Sequence, residues 1–308
     1  MSNWSADVLA ALGLPVDDTD LGTSRAEFEG GGSYRVEIPS VETPDALAAV
    51  VEEAKRLEVS IHRASQGSGV MLLTNDELKD MAQIGAETSI EVCLFIGPRA
   101  PWEAGAAALT PEGGQVGWRH SGMRQLSYAL REAHRATDAG IRSLLVADEG
   151  LIWILDQARR RGDLPADLIL KGSASLGLSN PVQVKLLEAA GLDTANIMSD
   201  TTIERLATMR SVVGIPLDLY VESPDGLGGF LRYHEIGDIV RVAAPVHLKF
   251  GLRNSPGLYP AGQQLPTLVS SARERVRRAR IGLEHLERLN PDARPSAAGP
   301  RRGVPCPN

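Results

Sequence analysis

The chain has 308 residues, 43% of them hydrophobic, and a formal net charge of −7. That charge argues against nucleic acid as the main partner, because phosphate contacts want a basic face. Two cysteines without a CxxC pair exclude a zinc ribbon, a four-cysteine iron–sulfur cluster and a disulfide scaffold within this chain.

Residues 1–32 read as an N-terminal arm or cap, with a short helical piece followed by an acidic, Gly-rich segment. The start shows neither the basic region nor the apolar run of a signal peptide. No later stretch reaches the roughly 20 apolar residues of a membrane span. The expectation is a cytoplasmic protein with no membrane partner.

From Tyr34 onward strands and helices alternate, which predicts an α/β protein with a parallel sheet. Strands are expected at 34–39, 60–64, 90–97, 143–148, 167–173, 195–200, 217–222 and 246–251. Helices are expected at 44–57, 75–87, 123–139, 151–161, 181–190, 202–213, 229–242 and 265–289. Thr43-Pro44 and Asn180-Pro181 each place a capping side chain before a proline at the first helical position. Thr74 with Glu77, and Thr201 with Glu204, read as capping boxes.

About eight β/α units over residues 33–290 predict a single (β/α)8 TIM-like barrel. The competing architecture is an open doubly wound sheet, whose first strand normally leads into a Gly-rich phosphate turn. Here that strand ends Ile38-Pro-Ser-Val-Glu-Thr43, without glycine. Long loops at 99–121 and 252–264 read as lids or walls of the C-terminal face. The Pro-, Ala-, Gly- and Arg-rich tail, 291–308, reads as disordered.

Buried parallel strands are usually continuous runs of Val, Ile and Leu. These strands instead keep one parity apolar while charges punctuate the other, as in Tyr34-Arg-Val-Glu-Ile38, Leu168-Ile-Leu-Lys171 and Val246-His-Leu-Lys-Phe250. A closed barrel explains the pattern if the charged parity converges on one mouth. The candidate catalytic residues are then Glu37, His62, Lys171, Asp200 and Glu222.

Glu37 and His62 are assigned proton exchange, since a carboxylate can act as base and histidine titrates near neutrality. Lys171 is assigned to polarising a carbonyl, steadying an enolate-like charge or forming a Schiff base. Asp200 and Glu222 orient that lysine or bind Mg²⁺ or Mn²⁺, which take oxygen ligands.

The segment His62-Arg63-Ala-Ser-Gln-Gly-Ser-Gly69 combines an anion-forking arginine with glycines that let backbone N–H groups approach a ligand. Arg63, Ser65 and Gln66, with Lys249, Arg253 and Tyr259, are the candidate substrate-binding residues. The basic run from Arg273 to Arg280 reads as a solvated helix face or a contact with a second subunit.

The stretch from Lys171-Gly-Ser-Ala-Ser-Leu-Gly-Leu-Ser-Asn180 through Val184-Lys-Leu-Leu-Glu-Ala-Ala-Gly191 to Ile215-Pro-Leu-Asp-Leu-Tyr-Val-Glu222 resembles the peptidase U32 family of collagenase-like proteases. The resemblance covers about a fifth of the chain and implies a barrel. The family signature continues with His-Gly and cysteines that hold an iron–sulfur cluster in some members. Here Glu222-Ser-Pro-Asp-Gly-Leu-Gly-Gly229 stands in that place, so no such cluster is carried over.

The function expected is an enzyme, a lyase, isomerase or hydrolase, acting on a small anionic carboxylate or carbonyl compound by acid/base chemistry, metal-assisted or not. A U32-like hydrolase of peptide or amide bonds and a non-catalytic binding or scaffold subunit are the alternatives. A homo-oligomer fits any of them.

Overall fold

Each strand alternates between two environments, and a closed sheet supplies both. In the computed structural model, which describes residues 4–19, 21–98, 110–111, 116–255, 264–299 and 301–307, eight parallel strands form a barrel in chain order. They are β1 (Tyr34–Pro39), β2 (Arg63–Gln66), β3 (Glu91–Phe95), β4 (Ser143–Val146), β5 (Ile169–Gly172), β6 (Thr194–Asn196), β7 (Leu217–Glu222) and β8 (Val246–Phe250). β8 pairs with β1, placing Glu37 beside Lys249 and so closing the ring.

After an N-terminal helix α1 (Trp4–Ala11), the outer layer is built from α2 (Pro44–Leu57), α3 (Asn75–Thr88), α4 (Gly122–Asp138), α5 (Glu149–Arg161), α6 (Pro181–Ala189), α7 (Ile203–Val212), α8 (Ile236–Ala243) and α9 (Leu265–Leu289). The start signals operate much as written in the chain. The Thr43 side chain accepts from the Ala46 N–H ahead of Pro44, and Thr74–Glu77 and Asn180–Gln183 are complete capping boxes. At α7 the cap is Thr202, which accepts from Arg205 N–H, one residue later than predicted.

The apolar core lies between sheet and helices. Val36, Ile38, Val92, Leu94, Leu144, Leu170, Leu219 and Leu248 belong to it and are buried. α9 comes so close to β8 that a Cβ on Gly282 would stand 2.3 Å from the Phe250 ring, so this helix position tolerates no side chain.

Three of the shifts from the predicted bounds bear on the site. β2 begins at Arg63, not at residue 60, so His62 lies just before the strand while Arg63 opens it opposite Glu37. β6 ends at Asn196, before Asp200. α8 starts at Ile236, because residues 229–235 are a loop with a 3₁₀ turn at Tyr233–Glu235.

The C-terminal tail corrects the expectation of disorder. Pro295 bridges Tyr34, and Ser296 N–H donates to Tyr34 O over 2.9 Å. The Arg301 guanidinium donates to His62 O. Arg302 pairs with Asp193 at 2.9 Å and donates to Leu168 O at 2.9 Å. Gly303 is buried against Glu91 and Ile169, and Cys306 N–H donates to Gly140 O at 2.8 Å. The tail therefore crosses the N-terminal end of the barrel from β1 to β6 and seals it. Its composition suits disorder, but open strand ends supply the partners that composition does not reveal.

The tail is expected to be a stability element. Deleting residues 291–308 leaves the barrel floor and its carbonyls without partners, and should cost on the order of 2–4 kcal/mol. Thermal and urea melts of the 1–290 chain against the full chain measure this; matching midpoints would contradict the sealing role.

Candidate functional site

The inward parity carries the charges, and register sets them side by side. Glu37, Arg63 and Glu91 are neighbours across β1, β2 and β3, while Asp218 of β7 pairs with His247 of β8. Arg63 is the hub. Its Nε donates to Glu91 Oε1 at 2.7 Å, and one Nη reaches Glu37 Oε2 at 3.3 Å and Asp218 Oδ1 at 3.2 Å. Lys171 pairs with Glu37, lies 3.7 Å from Asp218 and donates to Ser65 Oγ at 3.2 Å. Ser65 Oγ in turn donates to Glu37 Oε1 at 2.5 Å.

Arg63, Lys171, Glu37, Glu91 and Asp218 are all 2% exposed or less, so the barrel lumen is a dry ionic network. Burial alone would push Glu37 and Asp218 up. For Glu37 the positive charges of Lys171, Lys249 and Arg63 outweigh burial, and for Asp218 those of Lys171 and Arg63 do; both carboxyls are held well below their usual range. Burial pulls Lys171 down against the pull of Glu37.

Above the network the barrel opens at the C-terminal ends of its strands, in a cavity of about 380 Å³. Lys249, Asn196, Tyr220 and Ser65 line its inner end. Lys249 Nζ donates to Asn196 Oδ1 at 2.7 Å, sits 4.1 Å from the centre of the Tyr220 ring and lies 3.5 Å from Glu37 Oε1. The ammonium is thus held by a carbonyl, a π face and a carboxylate at once.

Phe95 and Trp118 meet edge to face, 6.4 Å between centroids, on one wall. The Trp118 segment is clamped by Arg119, which pairs with Glu149 at 2.7 Å and donates to Ser175 O at 3.1 Å. The Pro224–Leu227 turn forms the opposite wall, and Arg275 of α9 completes the lining by donating to Ser40 O at 3.4 Å. Ser40 adopts a left-handed φ of 61° where the chain leaves β1, a conformation costly for a side-chain-bearing residue and often found beside functional sites.

The structure sorts the predicted residues sharply. Glu37, Lys171 and Lys249 do converge, and Ser65 joins them. Lys171 and Arg63, however, are engaged inside the network and are not part of the cavity lining.

His62 lies at the opposite, sealed end. Its Nδ1 accepts from Val36 N–H at 3.1 Å and its Nε2–H donates to Ser296 O at 2.9 Å, which fixes one neutral tautomer. Burial pushes it down to about 4. It is held between β1 and the tail and does not join the residues at the cavity.

Glu222 faces away from the lumen, because a register shift between Tyr220 and Glu222 breaks the alternation. Its carboxylate accepts from Tyr233 OH and from Arg253 N–H at 3.1 Å. Asp200 is exposed beyond the end of β6, whereas Glu222 is buried with its carboxylate taken by Tyr233 and Arg253. Among the described residues no three His, Cys, Asp or Glu side chains group as metal ligands.

The Arg253 side chain is exposed outside the cavity. Gln66 lines the cavity, yet its amide bonds Gly69 in both directions, at 3.0 and 3.1 Å. Tyr259 lies outside the described residues.

Sequence reading missed Glu91, Asn196, Asp218, Tyr220, His247 and Arg275. The signal for most of them was the alternation itself: Asp218 and Tyr220 share a parity, and Asn196 shares one with Thr194. Arg275 was concealed in a basic run. It nevertheless falls in helical register with Leu268, Ser271, Ala272, Val276 and Ala279, the buried face of α9, so that run is not wholly a solvated face.

No family model matches the chain, and no curated protein matches it. Solved structures similar in fold include a U32 peptidase, with 18% identity, a TM-score of 0.42 and coverage of 65% of this chain and 73% of the other. Phosphoribosylanthranilate isomerase from Thermotoga maritima is similar at 10% identity, with a TM-score of 0.44, covering 83% and 100% of the two chains. A 2,3-dimethylmalate lyase is similar at 14% identity, with a TM-score of 0.38, covering 62% and 68%. Likenesses this remote carry no argument about function. The barrel that the U32 resemblance implies is the fold observed, and no helix among the described residues is long and apolar enough to cross a membrane.

Two predictions follow from the network. Arg63→Met leaves Glu37, Glu91 and Asp218 short of their shared cation, and should cost at least about 4 kcal/mol or abolish folding. Adding Glu91→Gln should recover part of that loss, and a double-mutant cycle by urea denaturation reads it.

The second is acid sensitivity. His62 and His247 are both pushed down to about 4 by burial, whereas unfolded histidine titrates near 6.5. Above that value neither state is protonated and stability is full. As pH falls from about 6.5 toward 4 the unfolded chain takes up protons that the folded chain refuses, at a cost on the order of 3 kcal/mol per histidine. Urea midpoints should drop over that window, and the drop should flatten in the His62→Gln/His247→Gln variant.

Proposed function

We propose that the protein is an enzyme acting on a small anionic carboxylate or carbonyl compound in the cavity at the C-terminal mouth of the barrel. The observation that carries this reading is the placement of Lys249: a buried ammonium, held from three sides, facing a formed cavity. A positive charge fixed in a water-poor pocket stabilises negative charge that develops on a bound carbonyl, as in enolate-forming lyase or isomerase chemistry.

Acid/base exchange by Glu37 and His62 loses its support. Glu37 is held ionised beneath the lysine, and His62 is at the far end. The electrophilic role therefore passes from Lys171 to Lys249. Asn196 and Tyr220 position it, and Glu37 balances its charge.

Two features separate this reading from its rivals. A peptide hydrolase would draw on the Ser65–Lys171 pair, 3.2 Å apart, but the Lys171 ammonium is bound to the Glu37 carboxylate and is not disposed to act as a base. The site is also a pit between Trp118 and the Pro224–Leu227 turn, suited to a small molecule more than to an extended chain. A scaffold role would account for the internal pairing of Lys171 but not for the cavity above it.

Incubating the purified protein with a metabolite extract and following substrate loss by mass spectrometry tests the proposal. Turnover is expected with the natural chain and should fall by about 10²–10³-fold in Lys249→Met, with the circular-dichroism melt confirming the fold. Turnover that survives unchanged in a folded Lys249→Met protein would sink this reading.

A further inference from the structure

The same cavity, on the reading that it binds an anion, also shows which kind of anion it suits. The Gly-rich turn after β2 has the amides to cradle a phosphate, but they are already used. Gly67 N–H donates to Glu42 Oε1 at 3.1 Å, Ser68 N–H donates to Glu42 Oε2 at 2.9 Å, and Gly69 N–H donates to Gln66 at 3.1 Å. Glu42 is itself buried, so the chain supplies its own carboxylate where a multiply charged ligand group would seat. Gly67 stands in the cavity lining, which places this filled cradle at the wall of the site.

The positive charge available to a ligand is small. Among the described ion-paired side chains of the lumen, Arg63, Lys171 and Lys249 face Glu37, Glu91 and Asp218, three charges against three; Arg35, earlier on β1, lies toward the sealed end beside His247. Lys249 already leans on Glu37, 3.5 Å away. Among the described residues, Arg275 adds one cation to the wall and Asp225 one carboxylate at the exposed rim. A dianion would find too little compensation there, whereas a single carboxylate would find a donor and a modest field.

Most of the remaining lining surface is apolar or aromatic, with Ser40, Ser173, Ser175 and Ser255 interspersed. Phe95, Trp118, Leu145, Leu227 and Leu252 surround the space that leads away from Lys249. Burying an apolar body against them contributes roughly 25 cal/mol per Å².

We infer that the cavity takes a small monocarboxylate with an apolar, aromatic-sized body, its carboxylate directed at Lys249, and that it discriminates against phosphorylated ligands through the internal Glu42 cradle.

Titration calorimetry with three probes tests this on the full chain: phenylacetate, phenyl phosphate and acetate. Phenylacetate should bind at least tenfold more tightly than either of the others, and should weaken at least tenfold in Lys249→Met. Phenyl phosphate binding as tightly as phenylacetate would overturn the head-group selection while leaving an anion site in place. Acetate binding as tightly as phenylacetate would overturn the apolar-body requirement. No binding by any probe at millimolar concentration would overturn the anion-cavity reading itself. Glu42→Ala supplies a control that spares Lys249: with the cradle vacated, the preference for phenylacetate over phenyl phosphate should shrink at least threefold, and an unchanged ratio would overturn the role given to Glu42.

Discussion

The pairing of Arg63 with Glu37, Glu91 and Asp218 inside the barrel is the constraint on which the rest of the structure depends. TIM barrels commonly fill their lumen with branched apolar side chains. This one fills it with ions, and burying an ion costs several kcal/mol unless partners and hydrogen bonds offset it. The arrangement is therefore intolerant: each charge requires the others. The gain is geometric. A lysine resting on Glu37, itself bound to Arg63, Lys171 and Ser65, has little freedom to move.

The two ends of the barrel divide the work. At the N-terminal end the tail, His62, Arg301 and Gly303 close the lumen and keep the network dry. At the C-terminal end the strands stop short and leave space between Trp118 and the Pro224–Leu227 turn. Dryness below strengthens the electrostatics above, since charges interact more strongly in a medium of low permittivity. Stability and the candidate chemistry thus draw on one set of side chains. Lys171 is the clearest example: it reads as a catalytic residue in the chain and serves in the structure as the counter-ion that holds Glu37 ionised.

The errors of the sequence reading share a physical origin. His62 and Arg63 are adjacent, so they cannot both face inward, and the register that sets Arg63 opposite Glu37 decides between them, leaving His62 just before the strand. Glu222 obeys the parity of Tyr220 until a register irregularity turns it outward to Tyr233. Asp200 lies beyond the end of β6, where alternation no longer applies. Arg275 looked like one more surface arginine and is held within the wall of the site. In each case the residue type was informative, but its direction depended on one or two residues of strand length or helix phase.

By itself the sequence determined the barrel. The count of β/α units, the caps at Thr43, Thr74 and Asn180, and the split between an apolar and a charged parity are local or periodic properties, and such properties can be read along one chain. It also placed Glu37, Lys171 and Lys249 on the inward face. Only the tertiary structure decided which of these charges neutralise one another and which remain at a surface. That outcome is set by register around a closed ring, where Glu37 of the first strand meets Lys249 of the last and Lys171 reaches across the lumen, and by a tail that folds back over 200 residues later to pin His62. Distances between segments so remote in the chain leave no periodic trace, so the difference between an ion pair and a ligand site appears only when the ring closes.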